Sequence, residues 1–316
     1  MRALLSGGPL AWRHRLRMKR GVWYAVAAYT LWGVFPIYIK LLQTVPAVEI
    51  LAHRVVWSLV FVTAALTIQR RWSWLRRLAA NPALLGRFVA TATVVSMNWG
   101  VYIWSINSNR VVDASLGYFI NPLVNVLLGA LVLRERLRPL QWASVSIAAL
   151  GVVWLTVQAG TLPWIGLVLA VSFATYGLLR KTATFGALEG LTLETGLLFP
   201  LAFGYLLWLA AHAQNTFIET PGAMRWMLIA AGPVTAVPLL LFAAGARRIP
   251  FSLLGLLQYI GPSIQLVLGV WLYHEPFAPA KAAGYALIWS ALALYTAESL
   301  WQTWRRAPAT TSDAPK

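Results

Sequence analysis

Gly117–Gly129 reads GYFINPLVNVLLG, and Leu257–Gly269 reads LQYIGPSIQLVLG. The second stretch follows the first by 140 residues and repeats its landmarks: Ile120 falls on Ile260, Pro122 on Pro262, Leu128 on Leu268 and Gly129 on Gly269. At the same offset Glu135 falls on Glu275, Pro139 on Pro279 and Thr156 on Thr296. Upstream, Glu49 falls on Glu189 and Lys40 on Arg180. Leucine matches are cheap in so apolar a chain, but two prolines, two glutamates and a glycine at one offset are not. The chain reads as two copies of one unit, with the register drifting near Arg110 and Arg248.

The setting of these copies follows from composition. Of 316 residues, 59% are hydrophobic and 11% charged, with 17 Trp and no Cys. Soluble domains carry roughly 25% charged residues. A soluble fold could not cover its surface with so few charges, so most of this surface faces something other than water. Soluble enzymes, disordered chains and disulfide scaffolds are excluded, and with them Cys-ligated zinc. The net charge of +17 is spread in short clusters between apolar runs. That is the distribution of a polytopic membrane protein in contact with lipid, not the single basic stripe of a nucleic-acid binder.

A transmembrane helix needs about 20 mostly apolar residues. Ten segments qualify: 21–42, 47–69, 85–106, 113–133, 139–158, 163–179, 186–210, 223–245, 250–272 and 279–299. Runs such as Leu253–Leu257 and Val126–Leu133 lack the alternation of a barrel strand. The expected fold is all-α and polytopic: two five-helix repeats, 21–158 and 163–299, between a basic tail at 1–20 and a polar tail at 300–316. An odd number of spans per copy inverts the second copy. The links agree, since Arg134-Glu135-Arg136-Leu137-Arg138 is basic and its counterpart His274-Glu275-Pro276-Phe277-Ala278 has no Arg. With the N-terminus inside, 21 Lys and Arg lie on inner segments and four on outer ends. The positive-inside rule then places both termini in the cytoplasm of an inner-membrane protein. The cluster Arg13, Arg15, Arg17, Lys19 and Arg20 follows a short apolar stretch instead of preceding it, which disfavours a signal peptide and leaves Met18 as an alternative start. Inverted repeats are a hallmark of secondary transporters.

Four segments carry a resemblance: Gly21–Leu42 (GVWYAVAAYTLWGVFPIYIKLL), Glu49–Ser58 (EILAHRVVWS), Ser96–Gly129 (SMNWGVYIWSINSNRVVDASLGYFINPLVNVLLG) and Leu257–Gly269. On these the chain resembles the drug/metabolite transporter superfamily, and within it the EamA-type transporters called RarD, from about residue 19 to 300. The resemblance implies ten helices around a central cavity and a permease role, without settling a substrate. RarD-like proteins are linked by name to chloramphenicol sensitivity. Small multidrug exporters of the superfamily couple protons through a Glu in the first helix; Gly21–Leu42 has no Asp or Glu, so that mechanism does not carry over.

Ionisable groups inside spans are costly and are functional candidates. Glu49 and His53 share a helix face, with Arg54 beside them; Glu189 and Glu194 lie in the seventh span. Glu49, His53 and Glu189 are candidates for proton coupling, or else Glu49 and Glu189 reach headgroups and His53 packs. Arg54 and Glu194 are 140 apart and hence equivalent in the two copies. At ~1.5 Å per residue both sit about 10–12 Å inside opposite boundaries of a core about 30 Å thick, which makes them the expected central charge pair.

Polar faces complete the expected substrate site. Tyr118, Asn121 and Asn125 share a face of the fourth span, and Gln258 and Gln265 flank Gly261-Pro262 in the ninth. Each proline frees a backbone carbonyl, which lipid does not tolerate, so both breaks are expected to face the interior as kinks. Asn98, Tyr102 and Ser105 align on the third span, and Tyr29, Trp32 and Pro36 on the first. Trp32, Trp99, Trp104 and Tyr176 are candidate walls for a flat substrate, while Trp23, Trp72, Trp74 and Trp301 read as interfacial anchors. No P-loop, G-x-S-x-G, H-E-x-x-H or G-x-G-x-x-G is present. The expected activity is secondary transport of a small organic solute, with no enzyme chemistry, no metal and no cofactor. The oligomeric state is not legible. The competing reading is a non-transporting membrane protein: a lipid scramblase, a sensor or a scaffold.

Overall fold

Long apolar runs punctuated by basic links fold as helices joined by short turns. The computed structural model describes residues 9–42, 44–107, 111–160, 164–220, 222–272 and 279–305. Glu275, His274, Arg110 and the polar tail after Arg305, all used in the sequence argument, lie outside the described residues. The helices are α1 (Pro9–Leu41), α2 (Ala47–Ile68), α3 (Trp74–Ala79), α4 (Pro82–Asn107), α5 (Val111–Leu131), α6 (Pro139–Ala159) and α7 (Trp164–Thr182). They continue as α8 (Ala187–Ala211), α9 (Thr216–Glu219), α10 (Ala223–Ala246), α11 (Phe251–Leu257), α12 (Ile260–Val267), a π-helical turn at Leu268–Leu272, and α13 (Pro279–Arg305). No strand occurs among the described residues.

By length and composition, seven helices among the described residues are candidate membrane spans: Leu16–Leu41, Ala47–Ile68, Pro139–Gln158, Trp164–Thr182, Ala187–Ala211, Ala223–Ala246 and Phe251–Leu272. Their outer faces are apolar and exposed, as at Ile68, Leu201 and Trp271. So much bare hydrocarbon is stable only against lipid.

The structure refines three expectations. The basic stretch before residue 21 is helical: α1 begins at Pro9 and runs through it. Arg, Lys, Leu and Met are good helix formers, and long basic side chains suit headgroup depth. The two prolines do not produce matching kinks. α5 runs unbroken through Pro122, whereas its counterpart divides into α11, α12 and the π-turn. Where the first copy has Asn121, the second has Gly261 before its proline. A flexible glycine beside a missing N–H lets the helix reopen as tight turns, with Gln258 N–H donating to Gly255 O and Gly261 N–H to Gln258 O. Lastly, Trp74 is buried against Phe185 (5.4 Å between ring centroids) and is no interfacial anchor, whereas Trp23 is 72% exposed.

Helix packing puts α5 at the centre. It lies against α7 and α11, while α2 fits between α8 and α10, α1 between α10 and α12, and α6 along α13. Close approach at the centre depends on Gly255, where a Cβ would meet the Asn125 Cβ and the Pro122 carbonyl, both at 2.7 Å. Small residues permit such backbone contact in membranes, where apolar burial does not drive helices together.

Candidate functional site

Packing α1, α2, α4, α5, α7, α10 and α12 together leaves a cavity of ≈ 310 Å³. It occupies one end of the bundle, reaching from Ile39 and Lys40 near the end of α1 to Tyr29, Gln258 and Pro262. Residues singled out from sequence line it, among them Arg54, Asn98, Tyr102, Tyr118, Asn121, Gln258, Gln265, Trp32 and Trp99.

The lining amides are fixed from behind. Asn98 Nδ2 donates to Leu169 O (3.0 Å) and Ser172 Oγ (2.8 Å). Asn121 Nδ2 donates to Ala170 O (2.7 Å). Gln265 Nε2 donates to Trp32 O (3.1 Å) across to α1. Asn125 lies a turn deeper, outside the cavity, and donates to both Asn121 Oδ1 (3.0 Å) and Gln258 Oε1 (2.9 Å). It therefore positions two lining amides.

Arg54 is held by its Nε, which donates to Thr235 Oγ1 at 2.8 Å. Its guanidinium carbon sits 5.2 Å from the Phe35 ring centroid and 5.4 Å from that of Trp99. Cation–π contact of this kind is favourable where water is scarce. No carboxylate with a described side chain stands at ion-pair distance from Arg54.

The expected Arg54–Glu194 pair does not form. Glu194 is buried towards the other end of the bundle, where Oε1 faces Arg180 Nη1 at 3.5 Å and Oε2 accepts from Tyr176 Oη at 3.1 Å. The reason is the hairpin: a short link joins α7 to α8, so Arg180 folds back beside Glu194. Tyr176 is absorbed in the same cluster, its ring stacked on Phe242, and does not line the cavity. Trp104 also lies outside it, on an exposed surface against Trp164.

The other acidic candidates hold loops. Glu49 accepts from Thr216 N–H and Oγ1, both at 2.7 Å, with His53 Nε2 at 3.8 Å. Glu189 pairs with Arg71. Both are buried against protein partners and do not reach out to headgroups, and neither lines the cavity.

Sequence reading passed over a set of hydrogen bonds between helices at the opposite end. Glu135 accepts from Phe251 N–H (2.6 Å), Ser252 N–H (3.0 Å) and Ser252 Oγ (2.8 Å), so it caps the start of α11. Lys181 donates to Ala246 O and Ile249 O, Arg180 to Ala187 O, and Arg247 to Ala183 O and Phe185 O. Thr235, the anchor of Arg54, was also missed; a lone polar residue in the apolar run of α10 was its signal. Phe35, Ile39 and Phe173 complete the cavity wall.

The profile of the EamA-like transporter family matches residues 19–157. The chain is 50% identical over 291 residues to Protein RarD of Streptomyces exfoliatus, covering 92% of each. The chain belongs to the EamA family of transporters, in its RarD branch. It is also 47% identical to the uncharacterized transporter YojE of Bacillus subtilis (strain 168), over 92% of this chain and 97% of that one. One solved crystal structure shares the fold, with a TM-score of 0.61 at 20% identity over 89% of this chain and 98% of that one. EamA membership makes this a membrane transporter and not an enzyme.

Proposed function

We propose that this EamA protein is a secondary transporter that moves a small organic solute by alternating access through the cavity. The observation that carries the reading is a polar, aromatic-walled cavity lined by both halves of the chain, with Glu135, Lys181 and Arg247 hydrogen-bonding between helices at the other end. A static scaffold has no use for buried amides held in place around an empty volume.

The proposal includes ten spans arranged as inverted repeats, 21–158 and 163–299, with the Arg-rich end and both termini in the cytoplasm. Support comes from packing. Exchanging the halves turns the α1–α10 contact into α7–α4, α5–α7 into α12–α1, and α2–α10 into α8–α4, and each of these contacts occurs. Contacts α2–α8, α5–α11 and α6–α13 map onto themselves. Tyr259 Oη donates to Phe119 O at 3.2 Å, and these residues stand 140 apart, as mates meeting on a two-fold axis would. Glu49 and Glu189, also 140 apart, tie the starts of α2 and α8 to the links preceding α10 and α4. Near-equivalent halves can trade conformations, so a cavity open at one end has a counterpart open at the other.

An uptake screen of small solutes in proteoliposomes, with and without a pH gradient, tests this reading. Saturable, protein-dependent uptake of at least one solute is expected. Rates equal to those of empty liposomes throughout would reject it.

A further inference from the structure

We infer that the solute is an organic anion with a flat apolar body, and that Arg54 is its anion-binding group. This rests on the transport reading for the word solute and on the geometry of the cavity for its chemistry.

The cavity is lopsided in charge. Arg54 lines it, and no acidic residue with a described side chain does. Thr235 takes the Nε of Arg54, and no hydrogen bond from either terminal nitrogen to a protein group occurs among the described residues. Two parallel N–H groups on one planar fork match the two oxygens of a carboxylate or phosphate. A cation held inside a span needs a counter-charge. Every carboxylate here with a described side chain and a buried setting is engaged elsewhere: Glu49 by Thr216, Glu135 by Ser252, Glu189 by Arg71, Glu194 by Arg180 and Glu298 by Arg138. The incoming solute supplies the counter-charge. Phe35 and Trp99 press on the guanidinium, and Trp32 and Phe173 meet edge-to-face at 5.7 Å further along the wall. This leaves an aromatic slot beside the anion site. Among the described side chains an ammonium would meet Arg54 and no carboxylate, which favours anions over amines and cationic drugs.

Phenylacetate, phenylacetamide and phenethylamine share one body and differ in charge, and phenyl phosphate adds a second anion. Calorimetric titration of each into the purified protein in phosphatidylcholine nanodiscs reads affinity without transport. Both anions are expected to bind at least about tenfold more tightly than the amide or amine. Arg54→Gln removes that preference, and Arg54→Lys, which keeps the charge without the fork, retains part of it. If Arg54→Gln does not fold, Arg54→Lys alone decides: anion affinity falls and amide affinity does not. Asp113, whose side chain lies outside the described residues, is tested by the phenethylamine arm. Amine or amide binding equal to that of the anions overturns the proposal. So does failure of both anions to bind, or an anion preference unchanged by substitution of Arg54. Complete displacement of both anions by phosphatidylglycerol in the disc would assign Arg54 to a lipid headgroup instead. Anion binding without flux would defeat transport and spare this inference; flux of amines would do the reverse.

Discussion

Arg180 shows what a buried charge demands. Its side chain is 1% exposed and its nearest carboxylate, on Glu194, is 2% exposed. Removing one member of such a pair strands the other, at a cost of about 3–5 kcal/mol, whereas removing both for apolar groups is often tolerated. Glu194→Ala is therefore expected to lower the unfolding temperature in detergent, and Arg180→Met combined with Glu194→Leu to recover most of the loss. A Glu194→Ala protein as stable as the parent would show that the pair carries no weight. The same residues mark the limit of sequence reading. Depth alone brought Arg54 and Glu194 to similar levels, because a helical rise fixes depth. It does not fix azimuth, so the competing partner one hairpin away was invisible. Residues sharing a face were easier: Asn98 with Tyr102, and Tyr118 with Asn121, lie on the cavity because period and face follow from the chain alone.

At the scale of helices, glycine placement decides how α5 and α11 meet. Gly255→Val would set carbon into the Pro122 carbonyl and Asn125, force α11 outwards and break the Asn125–Gln258 bond. A loss of about 1–3 kcal/mol is expected, as for overpacked cores. Gly86→Ala is the control, since nothing lies within 4 Å of the added Cβ, and it should be neutral or slightly stabilising. Equal unfolding temperatures for the two variants would contradict the packing account. The helices themselves were legible from apolar run length. The break between α11 and α12 was not placed correctly, because proline marks a missing donor and leaves open where the chain will bend.

For the molecule as a whole, the 140-residue offset proposes two exchangeable halves, and the cavity gives that exchange a purpose. Sequence could show the repeat because prolines and glutamates are scarce in this composition. It could not show which end is closed, since closure is a property of one conformation. In the proposed cycle Glu135 holds the cytoplasmic end shut by capping α11, so its loss should free that end. The chain has no Cys, so a single thiol at Leu169→Cys, in the cavity wall, reports from which side the cavity is reached. The decisive measurement is its rate of reaction with a membrane-impermeant maleimide applied to each side of oriented vesicles. The account predicts reaction from the extracellular side in the parent background, and new reaction from the cytoplasmic side when Glu135→Ala is added. Reaction from one and the same side in both backgrounds would contradict alternating access through this cavity.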